Sequence, residues 1–403
     1  MNRTHWISDP VLVALALLAS FLGLFFIFDA GYARSLGADR GVMPPEFRTQ
    51  LMCLPIALCF GAICRCISPK KWFALSAWAL AVCVVMLLLV PKFGHGVNGA
   101  KRWLGAGALT FQPAEFAKLA VVLFLASVFA YRKPWPKNTK KRDWALWMDS
   151  VAIPKLKRAL PAVAVGVVIL LVDKEPDMGT AMVLAVTVLA LFLLGGVSRN
   201  SLMAVLLIGI AGGWLLVRQE PYRLDRIRNH AHRWEAANVD DTSYQSVQSE
   251  LAMASGGLTG LGIGNGHAKH IIPEPTTDFI MATVGEEFGL CGSLFVLCVM
   301  AAIALRMVHL ASRTKTKFGA LVLYGVATWI GFQASVNFMM ANAFLPAIGV
   351  PLPFISYGGS SLVALWCSIG IGLSLVAQPS SVPAKNSRMR GKRSDGPVEI
   401  LRA

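Results

Sequence analysis

The sequence predicts an all-α, polytopic membrane protein of about ten transmembrane helices with one large extracytoplasmic loop. Three observations predict it. Of the 403 residues, 55% are hydrophobic and only 15% are charged, with a mean hydropathy of +0.58, more apolar surface than a water-soluble chain of this length needs. The apolar residues gather in runs of about 20, the length that crosses a hydrocarbon core of roughly 30 Å. Lysine and arginine fall mostly in alternate loops, as they do in a chain threaded back and forth through a bilayer. Helices follow because a spanning segment must satisfy its own backbone hydrogen bonds.

Taken in order, the spans are 11–28, 49–66, 72–90, 114–131, 159–172, 178–195, 201–217, 280–305, 319–340 and 358–377. The fifth is short, and acids interrupt the eighth. The first is too long for a cleaved leader, and MNRTHW supplies a single Arg with no small-residue cleavage site after it. Ten spans put both termini on one side. That side carries Arg65, Lys70, Lys71, the basic stretch 132–158, Arg313, Lys315, Lys317 and the tail KNSRMRGKR. It is therefore the cytoplasmic side. The net charge of +16 reads as a topology signal and as contact with anionic membrane lipids, with no nucleic-acid partner. Residues 1–378 form the membrane domain, and 379–403 form a basic, disordered tail.

The eight cysteines lie mostly within spans, and CRC at 64–66 lacks metal-ligand spacing. They are expected to be reduced, buried thiols.

The extracytoplasmic loops are 29–47, the Gly-rich 91–113, the very short 173–177, the large 218–278 and the Pro/Gly-rich 341–357. Internal repeats and inverted halves of the kind seen in many transporters are not found. In QPAEFAKLAVV, Glu115 and Lys118 share a helix face at the start of the fourth span. They form either a structural ion pair or a site for a charged headgroup. In VNGAKRWLGAG, Lys101 and Arg102 adjoin Trp103, as an interfacial anchor or as a phosphate site. Asp177 in KEPDMGTAM reads as a helix N-cap. The large loop brings Arg223, Arg226, Arg228 and Arg233, a helical stretch at 244–254, and GLGIGNG, which lacks the ending of a phosphate loop.

The stretch PEPTTDFIMATVGEEFG, 273–289, places Asp278 where the loop meets the eighth span. Thr277 or Asp278 could cap that helix, but a capping box would need Glu or Gln where Ile280 and Met281 stand. Glu286 and Glu287 follow about two turns into the helix, with a packing or cavity-lining role. In LPAIGVPLPFISYGGSSL, prolines and a Gly pair break the chain before the tenth span and bring the Ser356 and Tyr357 hydroxyls to the outer edge.

NGAKRWL, QPAEFAKLA, EPDMGTAM, the stretch 244–289 and PLPFISYGGSSL, in this order on ten spans, resemble the SEDS family (shape, elongation, division and sporulation). GIGNGHAK resembles the cell-division branch, FtsW, more than the elongation branch, RodA. The chain departs from the family pattern at Ala114, where relatives often carry Ser, and at Thr276, where His is common. The resemblance implies a peptidoglycan glycosyltransferase that polymerises lipid II, a disaccharide-peptide on undecaprenyl pyrophosphate, at the division septum. It implies Asp278 as the catalytic base. Glu115, Lys118, Lys101, Arg102, Glu274 and Ser356 are the candidate substrate-binding residues. It implies a class B penicillin-binding protein and divisome regulators as partners, and a divalent cation, Mg or Mn, is a candidate cofactor. Flipping of lipid II, a scaffold role and an elongation-type polymerase are the alternatives.

Overall fold

The computed structural model describes residues 9–37, 42–97, 100–106, 109–130, 153–239 and 243–377. The stretch 132–152 and the tail 379–403, which carry part of the predicted orientation, lie outside the described residues.

Ten long helices correspond to the ten predicted spans. They are α1 (Pro10–Gly37), α2 (Pro45–Cys66), α3 (Pro69–Phe93), α4 (Pro113–Ala130), α5 (Ile153–Asp173), α6 (Met178–Leu194) and α7 (Arg199–Gln219). After the large loop come α12 (Ile280–Arg313), α13 (Lys317–Ala341) and α14 (Gly359–Val376). Eight are long and apolar enough to cross a membrane, and the apolar parts of α5 and α6 are shorter. The large loop holds α8 (Pro221–Ala231), α9 (Ala236–Val239), α10 (Tyr244–Ser255) and α11 (Ala268–Ile271). Several helices begin on proline, at positions 10, 45, 69 and 113. The first turn has no use for that residue's missing N–H, and the fixed φ suits a helix start.

Helices α4, α13 and α14 form the middle of the bundle and are buried on most sides. α7 buries none of its residues, so its apolar side chains face outward all round. A close helix crossing joins α2 to α14, where a Cβ on Gly370 would lie 2.0 Å from the Gly61 carbonyl oxygen. Only glycine allows that approach.

Two expectations change. The Gly-rich loop before α4, in a chain expected to be all-α, is a three-stranded antiparallel sheet. β1 (His95–Val97) pairs with β2 (Ala100–Ala106), which pairs with β3 (Leu109–Phe111). AKRWLGA has no polar-apolar alternation to mark it as a strand, and the glycines around it read as loop. The cysteines divide: Cys64, Cys83 and Cys367 are buried, but Cys59, Cys66, Cys291 and Cys298 are exposed on the helix surfaces. A thiol within a span can face lipid as readily as a neighbouring helix.

Candidate active site

The α5–α6 loop (173–177), the sheet, α8 and the segments 274–278 and 345–358 meet at one end of the bundle. Each is fixed by side-chain bonds to its neighbours. On β2, successive residues point to opposite faces, and this separates Lys101 from Arg102. Lys101 Nζ donates to the Pro91 carbonyl, 3.2 Å away, at the exposed surface. Arg102 turns inward. Its Nε donates to the Glu175 carbonyl at 3.0 Å, and its Nη2 donates to the Pro176 carbonyl. The other side of the same loop is clamped by Arg223 of α8, whose Nη1 lies 2.7 Å from Asp173 Oδ1. Asp177 caps α6 as expected, accepting from the Thr180 N–H at 2.9 Å. Its second oxygen accepts from Gln112 Nε2 at 3.0 Å.

Asp278 does not cap α12. The residue at the N-cap position is Phe279, with no side-chain cap bond, so the Asp278 carboxylate is free for chemistry. The backbone around it is held from three directions. Asn337 of α13 donates through Nδ2 to the Asp278 carbonyl at 2.8 Å and to the Val350 carbonyl at 2.7 Å. Ser356 Oγ donates to the Thr277 carbonyl at 2.6 Å and accepts from the Leu352 N–H at 2.8 Å. The Tyr357 N–H donates to the Thr276 carbonyl at 2.8 Å. Gly349 has φ +75°, a backbone that favours glycine, and it lies beside the carboxylate, where a Cβ would be 3.4 Å from Asp278 Oδ2. Burial pushes the Asp278 carboxyl up to about 6, and the charges of Glu274 and Asp177 add to the rise. Arg102 and Arg226 oppose it. Asp278, Glu274, Asp177, Arg102 and Arg226 thus share one electrostatic site. Arg226 of α8 also stacks on the Tyr222 ring, 4.8 Å from its centroid.

The predicted Glu115–Lys118 pair forms, at 2.8 Å, with both groups almost fully buried. It lies inside the bundle, in contact with the neighbouring helix α13 through Gln333. Lys118 Nζ also donates to Gln333 Oε1 at 3.1 Å and sits over the Trp329 ring. Gln333 in turn receives the Trp329 Nε1–H and donates to the Pro351 carbonyl, both at 2.7 Å. Trp329, Gln333 and Asn337 are spaced by four, so they line one face of α13. Through that face the Lys118 cluster supports the 350–351 backbone, and Asn337 supports Asp278. Ser356 likewise acts on the backbone. Glu274 is exposed and accepts from the Thr277 hydroxyl at 3.0 Å.

Glu286 and Glu287 acquire a role. α12 breaks at Gly289, which has φ 64° and ψ −160°. The Glu286 and Glu287 carbonyls accept from Leu261 and Gly262, and the Leu290 and Cys291 N–H groups donate to Gly257 and Leu258, over 2.9–3.1 Å. The Gly-rich loop therefore replaces the helix's own i→i+4 bonds, as a break at membrane depth requires. The two carboxylates hold the rest of that loop. Glu286 accepts from the His267 and Ala268 N–H groups, and Glu287 from those of Gly264 and Gly266. Lys269 Nζ bridges Glu287 (2.6 Å) and Asp29 of α1 (3.1 Å). Acids two turns into an apolar helix, preceded by GLGIGNG, were the visible signal. Their pairing with backbone N–H groups was not readable.

Among the described residues no group of three or more His, Cys, Asp or Glu side chains could hold a metal ion. A Mg or Mn ion at this end of the bundle would have to be held jointly by one or two carboxylates and the phosphates of a bound substrate.

A bundle of membrane helices capped at one end by this site defines a multi-pass membrane protein of the SEDS fold. Residues 9–380 match the family described as "Cell cycle protein", which groups FtsW, RodA and SpoVE. The chain belongs to that family. It is 33% identical over 384 residues to the probable peptidoglycan glycosyltransferase FtsW of Coxiella burnetii, covering 93% of this chain and 97% of that protein. It is 30% identical over 375 residues to the stage V sporulation protein E of Bacillus subtilis, covering 91% and 96%. Among solved structures it is similar to a chain in a study of a peptidoglycan synthase complex that coordinates polymerization and crosslinking. The TM-score is 0.70 and the identity 26%, over 92% of this chain and 98% of that one. It is also similar to the rod shape determining protein RodA of Thermus thermophilus, with a TM-score of 0.64 and 25% identity, covering 92% and 98%.

Proposed function

We propose that this protein is a peptidoglycan glycosyltransferase that polymerises lipid II into glycan strands at the division septum of the inner membrane, releasing undecaprenyl pyrophosphate. The observation that carries the reading is Asp278, a partly buried carboxylate that caps no helix and faces Arg102 and Arg226. The acceptor sugar hydroxyl attacks the anomeric carbon of the donor. The bond to the pyrophosphate breaks, and Asp278 takes the hydroxyl proton. A sugar hydroxyl is a weak nucleophile, so a base with a raised pKa is what the step needs. A single displacement inverts configuration and turns an α-linked donor into a β-linked strand. Arg102 and Arg226 oppose the negative charge that develops on the leaving pyrophosphate. Glu274, at the exposed rim, contacts the incoming sugar. Glu115, Lys118 and Ser356 act at one remove, by holding the backbone that carries Asp278.

The strands made this way need cross-linking, so the partner is a class B penicillin-binding protein, under divisome regulators. The likeness to a chain from a peptidoglycan synthase complex supports that pairing. In this reading both termini lie in the cytoplasm, on the side that Lys/Arg placement favours. The sealed Glu115–Lys118 pair weighs against a lipid II flippase, which would need an open polar path at that depth. The test is the purified protein, alone and with its partner, on fluorescent lipid II. Polymer formation supports the reading. Transfer of lipid II across vesicles without polymer overturns it.

A further inference from the structure

The α5–α6 loop carries an acid that the mechanism above does not use. Glu175 is 2% exposed, and neither of its carboxylate oxygens has a hydrogen-bond partner. An unpartnered buried carboxyl is costly, and more so when ionised. The charges that face Glu175 are Asp177 of its own loop and Arg102 of β2. Arg102 holds the Glu175 and Pro176 carbonyls, not the Glu175 carboxylate. The nearby Arg223 of α8 is taken by Asp173, and Lys174 is exposed. Burial and then the Asp177 charge push the Glu175 carboxyl up to about 8, so it is neutral at pH 7. Asp177 already has a backbone N–H and the Gln112 amide.

We propose that Glu175 is a positioning residue that governs Arg102 by its protonation state. When neutral, it leaves the guanidinium free to bind the diphosphate of a polyprenyl-linked substrate or product. When ionised, it draws the guanidinium into an ion pair. The inference rests on the polymerase reading above. A guanidinium offers five N–H groups in a planar fork that matches phosphate oxygens. Two of these on loop carbonyls fix Arg102 in place and leave the others to a ligand. A carboxylate beside it competes for the same groups.

The sign follows from the direction of the shift. The raised carboxyl is neutral below about pH 8 and ionises above it, so diphosphate binding weakens as pH rises through 8. Burial holds the Asp278 carboxyl at about 6, and burial and the Arg233 charge hold His230 below its usual value. Neither changes charge in that window. The ligand's own charge grows with pH and acts in the opposite sense, so the comparison with a variant isolates Glu175.

The test measures binding of a fluorescent short-chain polyprenyl diphosphate to the full chain in nanodiscs at about pH 7 and about pH 9. A group titrating near 8 changes its neutral fraction about tenfold between those values. We expect Kd for Glu175→Gln to weaken about tenfold less over this range than Kd for the wild type. Glu175→Leu should show the same loss of pH dependence if Glu175→Gln does not fold. Arg102→Gln should bind weakly at both pH values. Equal pH dependence in wild type and Glu175→Gln overturns the inference while leaving the polymerase reading intact, since lipid II would still be polymerised. No polymer from lipid II and no preference for the diphosphate over a polyprenyl monophosphate overturns both.

Discussion

The side-chain amide of Asn337 lies 2.8 Å from the backbone carbonyl of Asp278 and 2.7 Å from that of Val350. One residue of the central helix thus fixes both walls of the site, the segment that carries the carboxylate and the loop that faces it. Asn337→Ala leaves two buried carbonyls unpaired, at a cost of about 1–3 kcal/mol each. The expected outcome is a lower melting temperature and a fall in kcat of about tenfold or more. KM should change little, because Asn337 orients Asp278 and does not touch the sugar. Polymerisation kinetics on lipid II with wild-type kcat would refute this.

The Glu115–Lys118 pair is buried on both sides. Lys118→Met alone strands Glu115 and is expected to cost about 3–5 kcal/mol. The double change Lys118→Met with Glu115→Leu removes both charges and should regain most of that stability. If the pair only supports the Gln333–Pro351 contact, the double variant should also regain much of its polymerase activity. Restored melting temperature with no polymer would instead make Lys118 a ligand for the substrate.

The spans and their order were legible because they rest on local signals, run length and Lys/Arg placement. At Asp278 the local signal, an acid at a helix edge without a capping box, leaves cap and chemistry open, and the structure removes the cap. The missing parts are long-range. Asp177 reads locally as a cap, and it is one, yet it also contributes charge to a carboxylate about a hundred positions away in the chain. Lys101 and Arg102 look equivalent in sequence, and only the strand pleat separates them. Asn337 and Gln333 are polar residues in an apolar helix, a signal of burial with no indication of partner. Glu286 and Glu287 read as packing or cavity-lining residues with no indication of partner, and they serve to dock a loop.

That loop gives a third prediction. Gly260 has φ +83°, and a Cβ on it would fall 2.0 Å from the Glu287 carbonyl oxygen. Gly260→Ala should expel the loop from the break in α12 and increase hydrogen exchange at 257–268. Lys269→Met should do the same by leaving Glu287 and Asp29 without their shared cation, at about 3–5 kcal/mol. Unchanged exchange in both variants would show that the loop is held some other way.

Asp278 gives a pH dependence of definite sign. With its carboxyl at about 6, the base form is lost as pH falls through 6, so kcat/KM should drop about tenfold per pH unit below that value. Stability runs the other way. A raised acid pKa means the ionised group disfavours the folded state. The stability present below the unfolded pKa of about 4 is lost as pH rises to 6. Asp278→Asn should therefore melt higher than wild type above pH 6 and show no difference below about pH 4. Thermal melts across that range check it.

The most direct test of the central claim is polymerisation of labelled lipid II by the purified protein, wild type against Asp278→Ala, with each sample shown to be folded. The account predicts polymer from the wild type and a loss of about 10²–10⁴-fold in rate on removing the base. Full activity in Asp278→Ala would contradict it.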